Sequence, residues 1–212
     1  MLIEEMNNIS LRLKTISSLL KGYEVACDVG CDHGYTILEA FKNNYIKSAI
    51  LIDNKKGPLE KAIANLEGFP CSFYLSNGVT GIDEKYDVCI VSGMGVENII
   101  QIVKEIPKNV TLILEPNTKV EKLRRFLYEN NYTITNEIVV FDGFYYVILT
   151  AKYGKENYTD DDVLLGKYLP YNKESKEYFS YLVSIEKEIL KKNPHHPQEK
   201  MMKYSEVLHR IP

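Results

Sequence analysis

The sequence predicts an α/β fold: a mostly parallel, doubly wound sheet that ends in an antiparallel hairpin, with a small α-helical domain appended. Three observations carry that expectation. Short apolar β-rich runs alternate with amphipathic helical stretches up to about residue 135. Two β-rich runs then flank Asp142-Gly143, and beyond about residue 155 the apolar spacing becomes helical. Near-continuous apolar strands set between helices imply a parallel sheet covered on both faces.

The elements follow in order. Ile9, Leu13, Ile16 and Leu20 recur at helical spacing, with Asn8 or Ser10 placed to cap the helix and Gly22 to end it. Apolar runs at 25–29, 49–53, 72–75, 87–91 and 111–115 read as strands, and the stretches near 35–43, 57–67, 96–105 and 118–130 as helices between them. Pro58, after Gly57, suits a first helical turn, where its missing N–H has no intrahelical partner anyway. Residues 136–151 read as two strands joined by a two-residue type I′ turn at Asp142-Gly143. A parallel sheet finished by such a hairpin is characteristic of Rossmann-like class I methyltransferases; dinucleotide dehydrogenases usually stay parallel to the end.

The remainder looks separate. A short helix is expected to start at Asp160–Asp162, and a longer one to span Lys173–Lys192 with Tyr178, Leu182, Ile185 and Ile189 along one side. Asn193-Pro194-His195-His196-Pro197 breaks the chain before a last helix with Met201, Tyr204, Leu208 and Ile211. A coiled-coil-like helical hairpin with an apolar seam follows. The expected domains are residues 1–153 and 154–212.

A chain of 212 residues has room for one domain and an appendage, and 45% hydrophobic with 26% charged residues excludes disorder. The N-terminal MLIEEMNNIS carries glutamates where a secretory signal has a basic and then an apolar stretch. Runs such as Val88-Cys89-Ile90-Val91 are too short to span a bilayer. A cytoplasmic protein without membrane segments is therefore expected. Cys27, Cys31, Cys71 and Cys89 form no CxxC pair and read as reduced, buried thiols. The net charge is −3, with 15 Lys+Arg against 19 Asp+Glu in residues 1–151 and 11 against 10 in residues 152–212. Any RNA-binding surface must be local.

The densest chemistry follows the first strand, in Asp28-Val29-Gly30-Cys31-Asp32-His33-Gly34. Gly30 and Gly34 allow a sharp turn and a close approach of backbone to a ligand at the carboxyl end of the sheet. Dinucleotide fingerprints have glycine where Asp32 stands, and a carboxylate there would repel a pyrophosphate. It suits a ligand with an ammonium and a sulfonium, which points to S-adenosylmethionine. Asp53, ending the second strand before Asn54, can accept hydrogen bonds from both ribose hydroxyls of an adenosyl group, or cap the next helix. Asn77-Gly78 can meet the adenine, or be a plain turn. Ser92-Gly93-Met94-Gly95 ends the fourth strand with small residues, opening the pocket floor where a methyl would meet its acceptor.

In order along the chain, LRL (11–13), DVGCDHGY (28–35), GP (57–58), NG (77–78), SGMG (92–95), EPN (115–117) and LRRFLYENNY (123–132) stand out. The series resembles the bacterial tRNA (adenine-N1)-methyltransferase family that modifies adenine 22 of the D-arm, the TrmK-like enzymes. Members also end in a coiled-coil-like extension, so the resemblance covers essentially the whole chain. The chain departs from the family at Val96, where GMGG is common, and at Glu115, where QPN is common. Val96 bears on the acceptor pocket, and Glu115 on any hydrogen bond that the family's amide donates.

The resemblance implies S-adenosylmethionine held by Arg12, Asp28, Gly30, Asp32, His33, Gly34, Asp53, Asn54, Asn77, Gly78, Gly93 and Met94. It implies a tRNA substrate met by Tyr35, Gly95, Asn117, Arg124 and Arg125, and no metal. Adenine N1 has an in-plane lone pair, so the implied reaction is an in-line displacement governed by positioning, with no general base required first. The product is a cation that a carboxylate stabilises. Asp32 is the catalytic candidate, or else it only binds the cofactor's ammonium. N1 lies on the Watson–Crick edge, so a paired base must leave its stack; Tyr35 can hold it, or be a plain core residue. Lys119, Lys122, Arg124, Arg125, Lys191, Lys192, Lys200 and Lys203 are candidate phosphate contacts, or solvated helix faces. His195-His196, between prolines, lacks the partners of a metal site. A monomer acting on tRNA is expected. The alternatives are a small-molecule methyltransferase and a non-catalytic RNA-binding protein of the same fold.

Overall fold

The structure, a computed structural model, describes residues 9–211. Asn8, one of the two expected caps, lies outside them. Ser10 opens α1 (Leu11–Ser18), its Oγ accepting the Leu13 N–H at 3.4 Å. Then come β1 (Val25–Val29), α2 (Tyr35–Lys42), β2 (Ser48–Asp53), α3 (Lys56–Asn65), β3 (Cys71–Leu75), β4 (Val88–Met94) and α4 (Val96–Glu105). They are followed by β5 (Thr111–Pro116), α5 (Val120–Glu129), β6 (Tyr132–Asp142) and β7 (Phe144–Tyr153).

The strand order is β3-β2-β1-β4-β5-β7-β6. β1 to β5 are parallel, and β7 runs antiparallel to both β5 and β6. Successive side chains point to opposite faces. Ala26, Ala49, Leu51, Val88 and Ile90 therefore pack with α1, α2 and α3, while Cys27, Val29, Ile50, Cys89 and Val91 pack with α4, α5 and the C-terminal helices. The winding direction reverses between β1 and β4, so the loops that leave these two strands part over a crevice at their carboxyl ends.

Several boundaries differ from the sequence expectation, each for a tertiary reason. β4 continues to Met94 because Ser92 and Met94 still pair with Glu115 and Pro116. Asp87 stays outside β4, and its carboxylate accepts the N–H groups of Glu24 and Val25 at 3.1 and 2.9 Å. β6 begins at Tyr132, since Tyr132 and Ile134 bury in the core, and an irregularity at Thr135 then shifts its register. At the hairpin tip Asp142 pairs with Phe144, leaving Gly143 alone at φ +76° in place of a two-residue turn. The Asp142 carboxylate also accepts the Arg12 N–H at 3.2 Å.

After β7 a π-helical turn (Asp162–Gly166) stands where a short α-helix is expected, followed by α6 (Lys173–Lys192) and α7 (Glu199–Arg210). Asn172 caps α6 through the Ser175 N–H at 2.9 Å. Tyr178, Phe179, Val183, Tyr204 and Val207 join the same buried cluster as β4 and β5.

Arg124 organises this junction. Its Nε donates to Glu137 Oε1 at 2.6 Å and its Nη1 to the carbonyls of Val163 and Leu164 at 3.2 Å each. Glu137 Oε2 accepts the Tyr168 N–H at 3.0 Å. The two side chains are 1% and 0% exposed, so Arg124 is an internal strut and not the substrate contact that the motif suggests. A buried guanidinium needs fixed acceptors; protein atoms supply them for Nε and Nη1, while Nη2 has no partner among the described residues. The cysteines are free thiols, with Cys71 only half-buried. Among the described residues no helix is long and apolar enough to cross a membrane.

Candidate active site

The chain turns at once beyond β1. The N–H groups of Gly30 and Cys31 both donate to the Ile52 carbonyl, at 2.8 and 3.0 Å. Gly30 has φ +76°, and a Cβ there would overlap Met94 Cε, so glycine lets the β1 loop and the end of β4 meet. Asp32 follows at φ +48°, an uncommon conformation for a residue with a side chain. Its N–H donates to Asp53 Oδ2 at 3.0 Å, while Asp53 Oδ1 accepts the Lys55 N–H at 2.8 Å. Asp53 thus ties two loops together, and each of its oxygens keeps a second lone pair for a ligand.

These loops enclose a trough in two adjoining parts. The larger, of about 590 Å³, is lined by Val29, Gly30, Asp32, Asp53, Asn54, Lys55, Pro58, Ser76, Asn77, Ser92, Gly93 and Met94, and by Asn98, Gln101, Ile102 and Glu105 of α4. The smaller, of about 250 Å³, is lined by Arg12, Leu13, Asp28, Gly30, Cys31, Asp32, His33, Tyr35, Thr36, Ser92 and Gly93. Gly30, Asp32, Ser92 and Gly93 belong to both.

Most residues expected at a cofactor site therefore converge here. Gly34 and Gly78 stand behind the walls. Gly34 precedes α2 at φ +72°, and a Cβ on Gly78 would meet Glu105 Oε2 at 2.6 Å. Tyr35 lies edge-on to His33, ring centroids 5.6 Å apart. Gly95 caps α4 just beyond the trough. Asn117 also sits outside, its Nδ2 donating to the Gly93 carbonyl at 3.0 Å and its N–H to that of Met94 at 2.9 Å.

Arg125 lines neither part and pairs with Asp160 at 2.8 Å. Four more of the expected phosphate contacts also stand beside carboxylates: Lys122 with Glu97, Lys191 with Glu188, Lys200 with Glu121, and Lys203 with Asp161 and Glu199. His196 Nε2 lies 3.0 Å from Glu186.

One feature is hidden from the motifs: Asn98 and Gln101 project from α4 into the trough, and the available signal is a polar pair at helical spacing beside Ile99, Ile100, Ile102 and Val103. Glu115, which the sequence marks as a departure from QPN, has a fully buried side chain. Its Oε2 accepts Arg12 Nη1 at 2.6 Å and the Gly93 N–H at 3.1 Å, and Oε1 has no partner among the described residues. Arg12 also lies 5.1 Å over the ring of Tyr146, within cation–π range.

Burial, reinforced by the carboxylates of Asp53 and Asp32, pushes the pKa of Asp28 up to about 7. Burial raises Glu115 as well, and Arg12 and the Gly93 N–H oppose the rise. The Cys31 thiol is driven up by burial and by the same aspartates, which keeps it protonated and poorly nucleophilic. Carboxylates crowded away from water favour a cationic ligand, which relieves their repulsion, and disfavour a pyrophosphate.

The chain matches a protein family described as a methyltransferase domain over residues 9–149. It is 28% identical over 173 residues to the tRNA (adenine(22)-N(1))-methyltransferase of Bacillus subtilis (strain 168), a span covering 76% of this chain and 73% of that protein. It is similar to the solved structure of Sp1610 from Streptococcus pneumoniae in complex with S-adenosyl-L-methionine, with TM-score 0.85 and 27% identity over 95% of this chain and 100% of the other. It is similar also to TrmK of M. capricolum in complex with S-adenosyl-homocysteine, with TM-score 0.76 and 26% identity over 96% and 94% of the two chains. The family match begins just before α1, ends within β7 and takes in every residue that lines the trough, and on that span the chain belongs to the methyltransferase-domain family.

Proposed function

We propose that this protein transfers the methyl group of S-adenosylmethionine to N1 of adenine 22 in the D-arm of tRNA. The observation that carries this reading is the acidic trough at the β1/β4 reversal, in a chain whose relatives are named for that reaction or hold that cofactor and its product.

The residues present fit the cofactor. Asp53 keeps acceptor capacity for ribose hydroxyls, and Asn54 and Asn77 offer amides to an adenine. Asp28 and Asp32 suit the positively charged end, and Arg12, which lines the smaller part, suits a carboxylate. S-adenosylmethionine would supply a methyl group already activated by its sulfonium. Adenine N1 brings its own lone pair, so no side chain need remove a proton before the N–C bond forms and the S–C bond breaks.

We assign Asp32, 72% exposed on the wall common to both parts, to stabilising the cationic purine. Tyr35 is assigned to the flipped base, and Gly95 and Asn117 to the acceptor border. Gly93 and Gly95 are exposed, leaving the acceptor side open as a macromolecular substrate requires. Exposed ion pairs such as Arg125–Asp160 contribute little against solvent screening, so a phosphate can replace the carboxylate readily. We assign residues 1–153 to cofactor binding and chemistry and residues 154–212 to tRNA, in a cytoplasmic monomer.

The test is methyl transfer from labelled cofactor to unmodified tRNA, with the modified nucleotide mapped. The expected product is 1-methyladenine in the D-arm, lost in Asp32→Asn while cofactor still binds. Cofactor binding without transfer to any tRNA would overturn the assignment.

A further inference from the structure

A second cleft, of about 630 Å³, lies between the β5–α5 loop, the β6–β7 tip and the helices α6 and α7. Six of its lining residues are aromatic: Phe144, Tyr145, Tyr146, Tyr178, Tyr181 and Tyr204. Tyr145 sits at the middle of a row, its ring centroid 5.2 Å from Tyr181, 5.9 Å from Tyr178 and 4.9 Å from Phe141. Phe144 is 70% and Tyr181 42% exposed. Core packing does not account for these two rings, and a clustered exposed apolar surface of this kind marks a binding site.

The cleft adjoins the trough on its acceptor side. Asn117, at the edge of the cleft, donates hydrogen bonds to the carbonyls of Gly93 and Met94, which line the trough. A second link is Tyr146, which lines the cleft while Arg12 of the trough lies over its ring. Lys119 and Lys200 also line the cleft, together with Glu121 and Glu186.

From this continuity we infer that the cleft receives an unpaired nucleobase of the RNA strand next to the methylated adenosine, stacked against Tyr145 and Tyr181. The inference rests on tRNA being the substrate. Tyrosine rings offer a flat apolar face with a polar tip, and every base has a π-face to lay on it, so the contact tolerates any sequence. The buried carboxylate of Glu186 disfavours a phosphate beside it, while the exposed Lys119 and Lys200 are open to one. An adenine pulled from its stack leaves a neighbour without its own stacking partner, and this row of rings replaces it.

The experiment measures binding of unmodified tRNA to the full chain, with S-adenosylhomocysteine present, for wild type, the double variant Phe144→Ala/Tyr181→Ala, and Tyr181→Trp. Both positions are exposed, so the melting temperature should hold. Losing a base stack should weaken tRNA binding about tenfold or more in the double variant. S-adenosylhomocysteine affinity should stay unchanged, and Tyr181→Trp should retain tRNA binding. Wild-type tRNA affinity in the double variant would overturn the inference and leave the methyltransferase reading intact. Loss of a wild-type dimer in the double variant, seen by sedimentation, would give the cleft to a second copy and overturn it too. A wild type that neither binds nor methylates tRNA would sink the functional reading, and this inference with it.

Discussion

Asp28 is the residue whose charge state should govern the site. Its pKa is raised from 3.8 to about 7 by burial and by Asp53 and Asp32, so between those values the folded chain keeps a proton that the unfolded chain has lost. This group therefore costs stability as pH rises through that window. A cation bound nearby favours the ionised form. Affinity for S-adenosylmethionine should rise up to about pH 7 and flatten above it, by at most about tenfold per pH unit because one proton is involved. Calorimetric titrations of wild type and Asp28→Asn check this, and a pH-independent wild type would remove Asp28 from the cation's surroundings. Glu115 and Arg12 give an ordering. Arg12→Ala strands a fully buried carboxylate and should cost about 3 kcal/mol, whereas Glu115→Gln keeps an acceptor for both donors and should cost less. Urea midpoints should fall from wild type to Glu115→Gln to Arg12→Ala; the reverse order would show that leaving the Glu115 carboxylate without Arg12 is not the costly step.

At the scale of elements, the strands announce themselves because burial on both faces demands unbroken apolar runs, and β1 and β5 keep their expected starts. Their ends moved where a distant partner decided, as with Asp87 held by the Glu24 and Val25 N–H groups. Arg124 shows the limit of motif reading most sharply. In an LRR sequence two arginines look equivalent, yet helical geometry turns Arg124 inward to Glu137 and leaves Arg125 outward beside Asp160. Arg124→Leu should strand Glu137, costing about 3–5 kcal/mol, and free the segment after β7. Limited proteolysis should then cut beyond residue 153 before the sheet domain unfolds. A variant as resistant as wild type would show that the apolar contacts alone hold the junction.

For the whole molecule, the C-terminal helices are part of the core and not an outrigger. Val163, Phe179, Tyr204 and Val207 share one buried cluster with Val91, Leu112 and Leu149 of the sheet. A chain cut after Tyr153 should expose that surface, bind a hydrophobic dye and melt well below the full protein; an equally stable fragment would make the two parts independent. The net charge of −3 predicts that tRNA binding depends on local lysines and arginines, so its affinity should fall steeply with salt while cofactor affinity changes little. Filter binding across a salt series measures this.

By itself the sequence determined the α/β alternation, the terminal hairpin, the existence of the C-terminal helices and the acidic loops after β1 and β2. All of these depend on residues close together in the chain, where period and loop chemistry are written directly. Only the tertiary structure decided that Glu115 meets Arg12, 103 residues away, that Arg124 is a strut, and that rings from the hairpin and α6 form one aromatic cleft. Such contacts follow from which faces of two elements are packed together. No local pattern encodes that choice, because it is made by burying the largest apolar area available to the chain as a whole.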